Sequence, residues 1–473
     1  MIQAWCEGFP RRWAHALAQH PGLFDLARPA ALARAPGRLD VMGGIADYAG
    51  ATVLERTCSE GTVCVAQVRG DDFVVVSAAN DVNTPARAIR LARNELQRLC
   101  EDEVALNAFF KTPANHWAAY VLGAVIVLHK HQDVTLPPGL ALLLVSDVPE
   151  GRGVSSSAAA EVASLYAVAQ AVGVSLAPDR VAWLAQRMEH TLAGAPCGLM
   201  DQLAVVYGGV DQLLRIRCQP GSVQGVVTCP AQLRLWGIDS GVSHAVSGAD
   251  YGTVRAATFM GYRILAHVLN MPIAHDAGQV QIDDQRFGGF LANVPPSELM
   301  PLLPLIPAVQ TGAEFLRTYG GSSDTVTSVQ PAIAYRVRDS LAHAVLDSHR
   351  ALVFAALLDS PNAIGNAPHL GELMLQSHAS YGVIGLGSEA TDALIADVRA
   401  ARARGVFGGR ITGGGSGGTV CVLAHAEADV EVQAIAARHS QRMGKPCHVF
   451  SGTSPGAHAF GTHQVMWQGD RFA

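Results

Sequence analysis

Three stretches of this chain concentrate residue types that can do chemistry. The first is Gly151-Arg152-Gly153-Val154-Ser155-Ser156-Ser157-Ala158. Glycines let backbone N–H groups come close to a phosphate, and a helix beginning there would add the positive end of its dipole. The hydroxyls of Ser155, Ser156 and Ser157 could donate to phosphate oxygens or hold a magnesium ion. They could equally be no more than N-caps. The stretch is not a Walker A loop, because no Gly-Lys-Ser/Thr follows the glycines. The second runs from Glu189 to Gln202 (EHTLAGAPCGLMDQ). Asp201 follows a Pro-Cys-Gly turn among apolar neighbours, with Glu189 twelve positions earlier. Two carboxylates in different surroundings could divide metal binding and proton abstraction; alternatively Asp201 caps a helix and Glu189 lies on the surface. The third, Ile411 to Thr419, has five glycines in the six positions 413–418. It suits positive-φ geometry or a close backbone approach to a ligand. A flexible linker is the other reading, although the β-type run TVCVLA follows at once.

The elements that must position these loops are readable from periodicity. Residues 1–34 read as an amphipathic helical lead-in ending in a Pro-interrupted loop. Strands are expected over 62–68 and 73–77, within a β-rich region from 51 to 79, followed by helix over 85–132. The apolar run 140–145 reads as a buried strand feeding the serine loop, from which a helix starts. A second helix follows Pro178 and stops at Gly194. Strand-like pieces return at 204–217 and 233–239. Residues 270–330, rich in Pro and Gly, read as an irregular insertion with short helices. Helices resume over 332–380 and 388–404, before a strand at 419–424. Runs of strands followed by runs of helices favour an α+β fold in two lobes, divided as 1–225 and 226–473, with the active site in the cleft between them.

Composition narrows the classes. Of 473 residues, 49% are apolar and 16% charged, which supports a large core and excludes intrinsic disorder. A net charge of −6 gives no general attraction to nucleic acid or anionic lipid. Apolar runs such as 140–145 fall far short of the roughly 20 residues of a membrane span. The N-terminus lacks the apolar core of a signal peptide. Nine cysteines without a CxxC pair suit a reduced, cytoplasmic protein with free thiols and show no metal spacing. No nucleic-acid or membrane partner is expected, and a monomer or small homo-oligomer is. His190 and His378 read as structural. Cys197 reads as a packing residue, although modifying a thiol there could inhibit an enzyme.

Together the three loops resemble, in order, the three motifs of the GHMP small-molecule kinases. The resemblance extends to galactokinases. Gly37 to Tyr48 (GRLDVMGGIADY) is similar to their signature GRVNLIGEHTDY, the Glu189–Gln202 stretch to their metal-binding Glu and catalytic Asp, and Ile238–Gly241 through Tyr251 and Arg255 to their sugar-binding Tyr region. It runs from about 34 to 470 and is weakest over 270–330.

One departure bears on the substrate. Galactokinases place Glu-His where this chain has Gly44-Ile45, and in that family those side chains reach the distal sugar hydroxyls, notably that on C6. L-Arabinopyranose has the galactopyranose ring with hydrogen in place of CH₂OH, so Gly-Ile suits a pentose. GRLDVMGGIADY and the segment Gly288 to Asn293 (GGFLAN) also resemble the kinase half of L-arabinokinases. Plant members of that family carry a glycosyltransferase-like segment before the kinase, so this chain looks like a stand-alone form.

The resemblance implies conversion of L-arabinose and ATP to L-arabinose 1-phosphate and ADP. Asp201 would take or orient the anomeric proton, with Arg38 beside it. Glu189 and a serine of the loop (Ser155 or Ser156) would hold Mg²⁺. Gly151, Gly153, Val154, the three serines and Ala158 would form the ATP loop. Asp47 and Tyr251 would grip the sugar beside Gly44 and Ile45, and Gly414 would close over it. Trp117 resembles the tryptophan lining the adenine pocket, or is an ordinary core residue. Restoring Glu-His at 44 and 45 would then shift preference towards galactose. The alternatives are galactokinase or another anomeric sugar kinase, and a non-catalytic sugar sensor.

Overall fold

A computed structural model describes residues 8–70, 72–78, 84–243, 249–276, 279–468 and 471–472. The N-terminal residues considered for a signal peptide lie partly outside that set, as do residues 244–248 of the Tyr251 region. Two sheets organise the molecule, and the fold is α+β. The larger begins with two long strands, β1 (Ala30–Met42) and β2 (Thr52–Arg69). Its order is Thr462–Val465, β1, β2, Gly139–Ser146, Asp72–Ser77, Arg87–Ala92, with the hairpin Gln212–Arg217/Ser222–Thr228 attached to the first half of β2. Among the described strands only Asp72–Ser77 and Gly139–Ser146 pair in parallel. Helices cover both faces, so β1 is buried from end to end and GLALLLVS carries apolar residues without alternation. Ser156–Ala171 and Ala119–Gln132 lie on one face, with Val162, Leu165 and Val125 in a continuous core with Val53 and Leu142. Phe9 and Trp13 of the first helix fill the other face against Leu32, Val65 and Leu143.

The second sheet runs Val406–Ile411, Thr419–His425, Leu233–Asp239, Val449–Phe450, all antiparallel, and is covered by Glu389–Ala400 and Asp429–Met443. A third core joins Ala249–Val268, Val337–Leu358 and the short helices Pro296–Leu302 and Gly312–Tyr319. The segment 270–330 therefore belongs to a core that also takes in Ala46, Ala49 and Ala51. Phe290 lies over Gly50, whose absent side chain makes room for the ring. Asn293 accepts from Gln219 and Arg217 of the hairpin attached to β2 (2.7 and 3.2 Å). Val337–Leu358 is the one described helix long and apolar enough to cross a membrane; it carries the buried Asp347 and packs inside the protein.

Several local expectations are corrected. Residues 30–34 open β1 and are not loop. Residues 87–92 form a sheet-edge strand rather than helix, because RAIRLA alternates and buries Leu91. Met200–Tyr207 is a helix despite the β-branched pair Val205-Val206, tertiary packing having overridden propensity. The strand Val406–Ile411 had no sequence reading, since Gly408 and Gly409 interrupt its pattern. Those glycines have a packing cause. The helix Ala367–Ile384 crosses this strand so closely that a Cβ on Gly371 would meet the Phe407 carbonyl, and one on Gly408 the Gly371 carbonyl. Gly371→Ala is expected to cost about 2–3 kcal/mol in urea unfolding. Gly382→Ala on the same helix, where the added carbon meets nothing within 4 Å, should leave stability unchanged or raised.

Candidate active site

β1 is irregular twice, with register shifts between Pro36 and Arg38 and between Asp40 and Met42. Bulges re-aim side chains, and here they lie beside Arg38 and Asp40. Arg38 is buried and makes four contacts. Its Nε and Nη2 donate to Asp201 Oδ1 (3.0 and 2.7 Å), its Nη1 to the Gly153 carbonyl (2.7 Å), and its Nε lies 3.2 Å from Glu55 Oε2. Ser155, in the left-handed region at φ 57°, donates to the other oxygen of Asp201 at 2.6 Å. Both oxygens of Asp201 are thus oriented, and neither caps the helix Met200–Tyr207.

Glu189 sits in a π-helical turn, Glu189–Ala193, ended by Gly194 at φ 73°. It is buried, not superficial. Gln202 Nε2 donates to its Oε2 at 2.7 Å and the Cys197 thiol to the same atom at 3.3 Å. Burial and the nearby charge of Asp201 push Glu189 up to about 7, against hydrogen bonds from Cys197, Ser157 and Gln202. Ser157 is therefore the serine paired with Glu189, while Ser155 serves Asp201. A divalent cation between Glu189 and Asp201 would relieve that repulsion, and carboxylate and hydroxyl oxygens suit Mg²⁺. Among the described residues no cluster of three or more His, Cys, Asp or Glu forms a metal cage. Burial and Glu189 also hold the Cys197 thiol well above its ordinary value, which disfavours its thiolate.

These residues face one cavity of about 740 Å³. It gathers Arg38, Ile45, Asp47, Trp117, Gly151, Gly153, Ser155, Ser156, Ser157, Glu189, Asp201, Tyr251 and Gly414 from every motif singled out above. Three expected residues do not line it. Val154 and Ala158 are buried in the first core, and Val154 contributes a carbonyl that accepts from the Arg38 N–H. Gly44 faces away, towards Asp40, Tyr381 and Arg410. The first and third loops meet backbone to backbone: a Cβ on Gly413 would stand 2.8 Å from the Gly153 carbonyl.

Asp47 is buried beside Gly198, where any side chain would overlap its carboxylate. Burial and Asp201 push it up to about 7, offset by the Tyr48 N–H and Arg255. Arg255 forms a bidentate pair with Asp324 (2.9 and 2.7 Å), donates to the Pro196 carbonyl (2.8 Å) and lies 5.2 Å from the Tyr48 ring. Thus the 270–330 segment supports the turn carrying Cys197 and Gly198. At the other end, Arg87 stacks on Trp117 at 5.2 Å and pairs with Glu150. His190 donates to the Cys197 carbonyl and His378 pairs with Asp392, both away from the cavity lining.

Sequence reasoning missed Glu55, Glu161, Arg87, Glu150 and the Arg255–Asp324 pair. Glu55 had a usable signal: it is a charge inside an otherwise buried strand, opposite Asp40.

The N-terminal GHMP kinase domain model matches residues 119–209 and the C-terminal GHMP kinase model residues 354–441. An L-arabinokinase of Arabidopsis thaliana is 34% identical over 93% of this chain, which spans about half (47%) of that relative. A galactokinase of Chloroflexus aggregans is 30% identical over 88% of this chain and 90% of its own length. The structure of Lactococcus lactis galactokinase complexed with galactose superposes with a TM-score of 0.71, covering 97% of this chain and 99% of that one at 19% identity, and so shares the fold. The chain belongs to the GHMP kinases and, within them, to the sugar kinases of galactokinase and L-arabinokinase type.

The raised carboxyl of Glu189 makes stability depend on pH. A carboxyl whose folded value exceeds its unfolded one stabilises below the unfolded value and loses that contribution as pH rises through the folded value, here about 7. Asp47 acts in the same direction. Without metal, the protein should melt lower at pH 8 than at pH 6. Excess Mg²⁺ should recover about 1–3 °C at pH 8 and less at pH 6. Glu189→Gln should abolish the metal-dependent part in thermal melts.

Proposed function

We propose that this chain transfers the γ-phosphoryl group of Mg-ATP to the anomeric hydroxyl of L-arabinose, giving L-arabinose 1-phosphate and ADP. The observation carrying the sugar assignment is the cavity wall at Ile45. Ile45 belongs to an apolar cluster with Tyr251, Val254 and Tyr381, and Gly44 beside it offers no side chain. A wall of that kind suits a pyranose without an exocyclic CH₂OH. The Arabidopsis relative supports the same reading.

In this reading Asp201, oriented by Arg38 and Ser155, accepts or directs the proton of the attacking hydroxyl. Phosphoryl transfer asks mainly for positioning and charge neutralisation. Arg38 supplies positive charge at the reacting end. Gly151 and Gly153 offer backbone N–H groups to the phosphates at the N-terminus of Ser156–Ala171. Glu189 with Ser157, or with Ser155 and Ser156, would hold Mg²⁺, which when bound neutralises phosphate charge. Asp47 accepts from ring hydroxyls, Tyr251 packs against the ring, and Gly414 lets the third loop approach. Trp117, with Arg87 stacked on it, forms the flat end suited to adenine.

The full-length match to a galactokinase favours D-galactose as the second reading. ADP release with Mg-ATP should be measured against L-arabinose, D-galactose, D-galacturonate and D-fucose, with the product's phosphate position read by NMR. The expected result is a 1-phosphate product and kcat/KM at least about 10-fold higher for L-arabinose, one lost polar contact being worth about 1–3 kcal/mol. Preference for galactose would overturn the sugar assignment, and tight sugar binding without turnover would point to a sensor.

A further inference from the structure

A buried polar cluster behind the cavity is used by none of the steps above. Arg410 is fully buried, and it spends nearly all its donors on fixed partners. Nε donates to Ser377 Oγ (2.9 Å), Nη1 to Asp40 Oδ2 and to the Asp40 carbonyl (2.9 and 3.1 Å), and Nη2 to the Tyr381 hydroxyl (3.0 Å). Ser377 in turn donates to the buried Asp347 at 3.0 Å. Asp40 accepts the N–H groups of Gly44 and Gly413 (3.2 and 3.3 Å). The Tyr381 oxygen accepts the Ile45 N–H at 3.3 Å and donates to the Gly413 carbonyl at 2.9 Å. One phenol and one carboxylate therefore each bridge two loops: that carrying Ile45 and Asp47, and that carrying Gly414.

The same cluster occupies the space a side chain at position 44 would need. A Cβ there would overlap the Tyr381 hydroxyl and stand 2.6 Å from Arg410 Nη2 and 2.7 Å from Asp40 Oδ2, at a φ of +31°. Asp40 stands where the galactokinase signature carries Asn, so charge at 40 and glycine at 44 belong to one arrangement. Buried ion pairs cost desolvation and are weak devices for stability alone. A positional role accounts better for this one.

We propose that Tyr381, Arg410 and Asp40 are positioning residues that clamp the two loops together and hold Ile45 against the non-reacting end of the sugar, so that selectivity against a larger sugar is set by the clamp as well as by the residues at 44 and 45. The proposal deepens the L-arabinose reading and rests on it for the identity of the favoured sugar. Its corollary is that restoring Glu-His at 44 and 45 fails to install a galactose contact while the clamp is intact.

The test is Tyr381→Phe, which keeps the ring in the apolar cluster and removes only the bridging oxygen. KM for the sugar favoured by the wild type should rise about 10-fold, the scale of one buried hydrogen bond. KM for ATP should stay within about twofold, because Trp117 and Arg87 lie at the other end. The L-arabinose to D-galactose ratio of kcat/KM should narrow. Gly44→Ala alone should impair sugar use at least as much, and Tyr381→Phe combined with Gly44→Ala should be less impaired than the product of the two single effects. Unchanged sugar KM and selectivity in Tyr381→Phe, or equal losses for ATP and sugar, would overturn the clamp. A wild type that prefers galactose would refute the sugar assignment, while the split between sugar and ATP KM would still decide the clamp.

Discussion

The site depends on one guanidinium. Arg38 is buried where the bulged end of β1 meets the serine loop, and it simultaneously orients Asp201, pairs with Glu55 and donates to the Gly153 carbonyl. Burying such a charge costs on the order of several kcal/mol, returned only where partners are close and well aligned. Asp201, Glu55 and Asp40 all favour its charged form. The arrangement explains why the first loop, the Asp201 helix and the first two strands must be placed together before any chemistry can occur.

Around that cation the balance is acidic. Asp47 and Glu189 are buried carboxyls raised by burial and by Asp201, and Glu161 behind Glu189 is raised for the same kind of reason. Gln202 reaches both glutamates with one amide nitrogen. In the proposed reaction such a pocket would favour phosphate paired with a divalent cation over bare phosphate. At the mouth Arg87 is paired with Glu150, and the backbone N–H groups of the glycine loops add dipoles without adding bulk. Carboxylates around Asp201, the Arg87–Glu150 pair beside Trp117 and the apolar wall at Ile45 divide the cavity by chemistry.

What could be read from the sequence was mostly local. Glycine and serine loops announce themselves because few other residues tolerate their backbone geometry, and Gly151, Gly153, Ser155–Ser157, Gly414, Glu189 and Asp201 do converge on one cavity. The strand at 140–145 and the helix behind the serines were legible for the same local reason. Interactions across distant sequence were not. Arg410 meets Asp40 across 370 positions and Arg255 meets Asp324 across 69, and no spacing rule joins them. Gly44 shows the difference most plainly. From sequence it was an emptied sugar contact. In the fold it is a glycine required by three polar atoms behind the pocket, and of the two residues Ile45 is the one that lines the cavity.

In the proposed reaction Asp201, oriented from both sides, performs proton transfer and is not needed to hold the sugar. Asp201→Asn keeps the shape and the hydrogen bonds to Arg38 and Ser155 within reach. Sugar affinity by titration calorimetry should change by no more than a few-fold, while turnover falls by about 10²–10⁴, the usual worth of a positioned acid–base group. A variant that turns over at near wild-type rate would contradict the account, as would one whose lost activity is matched by lost sugar binding.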